Sequence, residues 1–130
     1  MLKCIVVEDD HFWSEEINDA LVGANVEVVR VANGREAIEM ARRYPDAGMI
    51  LDIILPDVDG VQVLQQLRHV VPDMPVLAVT GGGRLGAEFY LKLARTFGAQ
   101  GQLAKPFTPA QLVDSWMALA AGAGCLEPKA

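Results

Sequence analysis

The sequence predicts an α/β fold: five short strands alternating with five helices, wound about one parallel sheet. Two observations carry this. Short apolar or β-branched runs recur along the chain, and between them apolar residues return every three or four positions. The runs are near-continuously apolar rather than alternating, as strands covered on both faces are. With 130 residues, 52% of them hydrophobic and 22% charged, the chain has the size and apolar content of one ordinary domain with a single core.

The elements follow in order. The first strand is Lys3–Val7. Trp13, Ile17, Ala20, Leu21 and Ala24 then fall on one face of a first helix. Residues 26–31 form a second strand. Asn33 before Gly34 is placed to N-cap a second helix whose apolar face is Ala37, Ile38 and Ala41. Residues 49–51 are the third strand. Leu64, Leu67, Arg68 and Val71 mark the third helix, with Arg68 at its exposed edge. Residues 75–79 are the fourth strand. Leu85, Phe89, Leu93 and Phe97, spaced by four, mark the fourth helix, which Gly98 suits as a left-handed cap. Gly101–Ala104 is the last strand. Thr108 and Pro109 fit the N-cap and first position of a fifth helix carrying Leu112, Val113, Trp116, Leu119 and Ala120. Pro45, Pro72 and Pro75 sit where helices must stop. Right-handed crossovers between such strands give a doubly wound (βα)5 fold of the flavodoxin-like kind. Residues 122–130 carry no period and read as a C-terminal tail.

Charge and cysteine usage narrow the function. Eleven Lys and Arg against seventeen Asp and Glu leave a net charge of −6. Such a balance opposes direct binding of nucleic acid, which draws on excess cationic side chains. No apolar run approaches the roughly 20 residues that span a bilayer. The start, Met1-Leu2-Lys3-Cys4, runs straight into a strand without a signal-peptide layout. Cys4 and Cys125 cannot build a disulfide framework, and neither they nor His11 and His69 have metal-ligand spacing. Cys4 reads as a small buried apolar residue and the histidines as surface residues. The expectation is a cytoplasmic globular domain.

In an open parallel sheet, sites form at the carboxyl ends of the strands. Glu8, Asp9 and Asp10 follow strand one, Asp52 ends strand three, Thr80 and three glycines follow strand four, and Lys105-Pro106 follows strand five. Taken singly, these are ordinary turn, cap and loop residues. Gathered at one edge, the acids become like charges in a cleft that call for a cation. Mg²⁺ suits them, since it takes one or two carboxylates and keeps its remaining positions for water and phosphate oxygens. An Asp nucleophile beside such a metal, faced by a hydroxyl and an ammonium, has the parts for phosphoryl transfer. The glycines lack the Lys-Ser/Thr spacing of a phosphate-cradling loop and read as a flexible turn.

These motifs resemble those of the receiver domains of two-component response regulators, especially the single-domain chemotaxis type. They are Ile-Val-Val-Glu-Asp-Asp at 5–10, Leu-Asp-Ile-Ile-Leu-Pro-Asp-Val-Asp-Gly at 51–60, Val-Thr-Gly at 79–81, and Gly-Ala followed by Leu-Ala-Lys-Pro-Phe at 98–107. The resemblance covers roughly residues 2–121 and implies a receiver domain over 1–121. It implies the strand order 2-1-3-4-5, with Asp52 as phosphoacceptor. It implies Glu8, Asp9 and the backbone carbonyl of Ile54 as further metal contacts, Thr80 as switch hydroxyl, and Lys105 as partner of the phosphoryl group, with a cis bond to Pro106. It also implies a histidine kinase or histidine phosphotransferase as phosphoryl donor and a separate downstream protein as target. A monomer or weak dimer is expected. Gln102 departs from the family, which carries Tyr or Phe three residues before the lysine. The segment between Thr80 and Lys105 is also a few residues longer than usual. Ile54 and Gly82, each two residues past a site residue, are the positions expected to tune hydrolysis. A readout face is expected on helix four, strand five and helix five, including Tyr90, Gln102 and Trp116.

Two other readings are open at this stage. Gln102 is compatible with a phosphorylation-independent interaction module on the same fold. A dehalogenase-type phosphatase would want a second acid two residues past the nucleophile, where Ile54 stands.

Overall fold

The computed structural model describes residues 1–82 and 85–122. Its elements are β1 (Lys3–Val7), α1 (His11–Gly23), β2 (Glu27–Val31), α2 (Gly34–Arg43), β3 (Gly48–Asp52), α3 (Gly60–Val70), β4 (Val76–Thr80), α4 (Ala87–Thr96), β5 (Gly101–Ala104) and α5 (Pro109–Gly122). The strands form one parallel sheet in the expected order β2-β1-β3-β4-β5. Gly83, Arg84 and most of the expected tail, including Cys125, lie outside the described residues.

Alternate side chains of the central strands face opposite layers, as the period of two requires. Ile5, Val7, Met49, Leu51, Val76 and Ala78 pack with α2, α3 and α4. Cys4, Val6, Ile50, Leu77 and Val79 pack with Ile17 and Leu21 of α1 and Leu112, Trp116 and Ala120 of α5. All of these are buried, so the core is two apolar layers divided by the sheet.

The strand register aligns the functional ends. Val7 stands beside Leu51, Asp52 beside Val79, and Thr80 beside Ala104. The residues that follow or end β1, β3, β4 and β5 therefore reach one edge together. Strand boundaries moved by a residue where pairing decides them. β4 starts at Val76 rather than at Pro75, which has no N–H to donate; the Pro75 carbonyl accepts from Met49 instead.

Local caps explain where the helices begin and end. Asp10 accepts from the Trp13 N–H at the start of α1, Asn33 from Glu36 at α2, and Asp59 from Val61 at α3. Thr108 and Gln111 form a reciprocal capping box at α5. Gly98, at φ 109°, closes α4 with paired bonds from Ala99 to Ala94 and from Gly98 to Arg95. Asn25, at φ 65°, ends α1 in the same way, through bonds from Val26 to Leu21 and from Asn25 to Val22.

Three placements differ from the sequence reading. In α4 the expected stripe is only partly inward: Leu85 and Phe89 are exposed, while Tyr90, Leu93, Ala94 and Phe97 meet the core. Arg68 is not an exposed edge residue. Its guanidinium folds back onto the carbonyls of Pro72 and Met74, capping the turn after α3. Trp116 is fully buried against Gly48, where an added Cβ would lie 2.9 Å from the indole, so it cannot belong to a readout face. No helix among the described residues is long and apolar enough to cross a membrane.

Candidate functional site

The edge formed by the strand ends gathers Glu8, Asp9, Asp52 and Lys105. One carboxylate oxygen from each of the three acids lies within 4.8 Å of the others. Glu8 and Asp52 are buried and Asp9 is exposed, so the cluster opens to solvent on the Asp9 side. The Lys105 ammonium bridges the two buried acids, 2.7 Å from Glu8 Oε1 and 3.1 Å from Asp52 Oδ2. The remaining oxygens accept from the backbone: Glu8 Oε2 from the Asp10 N–H, and Asp52 Oδ1 from the Ile54 N–H. Asp10 itself is used as the α1 cap.

Burial raises the Glu8 carboxyl to about 7, and the neighbouring Asp52 adds to the rise; Lys105 opposes it. For Lys105, burial alone would lower the ammonium. The hydrogen bond to Glu8 and the charges of Asp52 and Glu8 outweigh it and hold Lys105 above its ordinary value. The pocket therefore holds more negative charge than one ammonium neutralises. Its donors are hard oxygens clustered on one open side, a set that fits a small divalent cation such as Mg²⁺. Glu8, Asp9 and Asp52 are the residues that could hold it.

Thr80 is fully buried at the end of β4, and its hydroxyl accepts a 3.3 Å bond from the Gly82 N–H. Gly82 adopts φ 136°, which a side chain would strain. The ladder continues from Thr80 to the Lys105 N–H, and the Lys105-Pro106 bond is cis. Ile54 is 41% exposed at the mouth, while its N–H is spent on Asp52. Gln102 is half-buried in β5, and its side-chain amide donates to the Ala99 carbonyl at 3.0 Å, which ties it to the turn before the strand.

Two arrangements escape the sequence reading. Asp57 reaches across to α2, accepting from the Gly34 N–H at 2.8 Å and the Arg35 N–H at 3.2 Å. These bonds hold its carboxyl below the ordinary value, Gly34 contributing most. The loop after Asp52 thereby caps a helix more than 20 residues earlier. Trp13 lies beside the site, its ring 5.4 Å from the Lys105 ammonium and tilted against Phe107 with centroids 4.7 Å apart. The sequence reads Trp13 only as a member of the α1 stripe; an aromatic residue just past the acids and another just past the lysine were the available signal.

With this geometry in place, comparison with known proteins defines the class. The pattern of the response regulator receiver domain matches residues 4–116. The response regulator MprA of Mycolicibacterium vanbaalenii is 31% identical over 119 residues, 91% of this chain and 50% of that protein. The chemotaxis response regulator CheY4 of Vibrio cholerae superposes with a TM-score of 0.81 at 26% identity, covering 92% of this chain and 98% of that one. The receiver domain of the sensor histidine kinase PA1611 of Pseudomonas aeruginosa, solved with a magnesium ion in its active-site cleft, does so with a TM-score of 0.78 at 26% identity, covering 95% and 98%. The chain belongs to the response regulator receiver family. It spans about half the length of several of the curated regulators it matches, MprA among them, and 89% of the response regulator DivK of Brucella anthropi.

Proposed function

We propose that the chain is a phosphorylation switch of a two-component phosphorelay. A histidine kinase or histidine phosphotransferase would donate a phosphoryl group to Asp52: a P–O bond to the carboxylate forms as the P–N bond to the donor histidine breaks. The observation that carries this is the Lys105 ammonium lodged between buried Glu8 and Asp52, with the exposed Asp9 completing an acid cluster. A binding surface has no use for three acids crowded around one ammonium.

Glu8, Asp9, Asp52 and the Ile54 carbonyl would hold Mg²⁺, and the magnesium in the PA1611 cleft supports that choice. When bound, the ion neutralises phosphoryl oxygens. Lys105 is within reach to shift its hydrogen bond from Asp52 to the new group. Thr80 would turn its hydroxyl from the Gly82 N–H toward the phosphoryl oxygens, releasing the loop that begins at Gly81. The phosphoryl group brings about −1.5 to −2 charge. Driving the switch from 1:99 to 99:1 takes about 5.5 kcal/mol, which two or three charge-assisted bonds of about 1.5–3 kcal/mol supply.

Gln102 has no ring to turn inward, and its amide is held by Ala99. The readout is therefore assigned to the α4–β5–α5 face with Tyr90, Gln102 and the loop at Gly82, acting on a separate protein target. Ile54 and Gly82 border the path of attacking water and would set the phosphoryl lifetime. Residues 1–121 would be the receiver unit, working in the cytoplasm as a monomer or weak dimer.

Incubation with acetyl phosphate and Mg²⁺, followed by intact-mass measurement, tests the reading. Wild type should gain one phosphoryl group and Asp52→Asn none. Equal labelling of the two would remove Asp52 from its role. The tether on Gln102 leaves room for a phosphorylation-independent interaction module; absence of any Mg²⁺-dependent response to beryllium fluoride would favour that alternative.

A further inference from the structure

The ion pairs with Glu8 and Asp52 hold the tip of Lys105 from the acid side but leave its other side unaccounted for. Lys105 carries its charge on a flexible four-carbon stem. Its side chain is nonetheless only 9% exposed. Part of what faces it is aromatic. Trp13 lies over the ammonium at 5.4 Å, within the range of a cation–π contact. It is held there by Phe107, two residues past Lys105, with ring centroids 4.7 Å apart at 49°. Phe107 packs against the α1–α5 core layer, so this support is anchored. Phe12 also meets Trp13, edge to face at 5.3 Å, and is itself 61% exposed.

Trp13 is not explained as core. Ile17 and Leu21, on the same helical stripe, are fully buried, whereas Trp13 is half-buried one turn earlier and belongs to neither apolar layer. The Asp10 cap fixes the first turn of α1 by binding the Trp13 N–H itself. The backbone that presents the ring is thus set by the residue next to the acid cluster.

We propose that Trp13 is a positioning residue. Its ring holds the Lys105 ammonium at the mouth of the acid pocket, in reach of a phosphoryl group on Asp52, and Phe107 backs it. This rests on the phosphoacceptor reading of Asp52. Removing the π face while keeping apolar bulk, by Trp13→Leu, should slow acetyl phosphate labelling by about twofold to thirtyfold. Trp13→Tyr, which keeps a ring, should restore most of the rate. In a double-mutant cycle with Lys105→Met, Trp13→Leu should cause little further loss, because Trp13 acts only through the ammonium.

A second readout does not depend on turnover. In a Trp116→Phe background, Trp13 is the remaining indole. Its emission should change on addition of Mg²⁺ with beryllium fluoride, and Lys105→Met should abolish that change. Trp13→Leu labelled at the wild-type rate, or losses that multiply in the cycle, would overturn the proposal while leaving Asp52 in its role. Failure of wild type itself to label would overturn both.

Discussion

Raising the pH from 5 to 8 in the presence of a chelator should weaken this fold through one residue, Glu8. Its carboxyl is lifted from 4.5 to about 7, mainly by burial and further by Asp52. The folded state thus binds a proton that the unfolded chain has released. Stability from that proton is fully present below 4.5 and is lost as the pH rises through about 7. At about 1.36 kcal/mol for each tenfold change in proton affinity, the effect is at most about 3 kcal/mol. Water entering on the exposed Asp9 side screens it, and about 2 kcal/mol is the expected loss. Urea denaturation of wild type and Glu8→Gln at matched pH isolates the residue, since other titrations cancel in the difference. Glu8→Gln should gain on wild type by about 2 kcal/mol between pH 5 and pH 8. A difference that stays flat across that window would refute the assignment of Glu8 as the strained acid. With Mg²⁺ held by the acid cluster as proposed above, saturating ion should reverse the wild-type slope, because it would bind the folded state and favour ionised Glu8.

The remaining predictions concern positions around the site. Gly60→Ala would place a Cβ 2.5 Å from the Ile53 Cα and carbonyl oxygen, backbone that cannot move aside without shifting Asp52; a loss of about 2–3 kcal/mol in urea denaturation is expected, and wild-type stability would contradict the close approach. Asp57→Asn should weaken the start of α2, seen as faster hydrogen exchange at the Gly34 and Arg35 amides. Because the Asp57 carboxyl is lowered, wild-type protection there should fall only as acid protonates it. Gly82→Arg should slow dephosphorylation by obstructing water, and its φ of 136° adds a stability cost of about 1–3 kcal/mol; unchanged hydrolysis would count against the role of Gly82.

How much of this was legible in the sequence depended on the range of the interaction concerned. The strands and most helices were readable because periodicity and caps are local: Asn33, Gly98 and Thr108 act within four residues of themselves. The site acids were readable because parallel strands deliver their carboxyl ends to one edge whatever the loops do. The α4 face was not, since a spacing of four selects Leu85 and Phe89 as readily as Tyr90 and Ala94, and only docking on β4 and β5 chooses between them. Arg68 is the exception to range: its partners lie only four and six positions on, but they are backbone carbonyls, which leave no side-chain signature in the sequence. Asp57 and Trp13 act across 22 and more positions, beyond any local pattern.

One consequence of the lysine bridge concerns the order in which the molecule becomes competent. The Glu8–Lys105 contact joins residues 97 positions apart and the Asp52–Lys105 contact residues 53 apart. Closing loops of that size carries an entropic cost that must be met before the contacts reward it. A chain ending before β5 would hold the acids without the ammonium. With Asp52 and Lys105 in the roles proposed above, competence to accept a phosphoryl group would report that the last strand has docked on β4, and the lysine bridge would mark a finished fold.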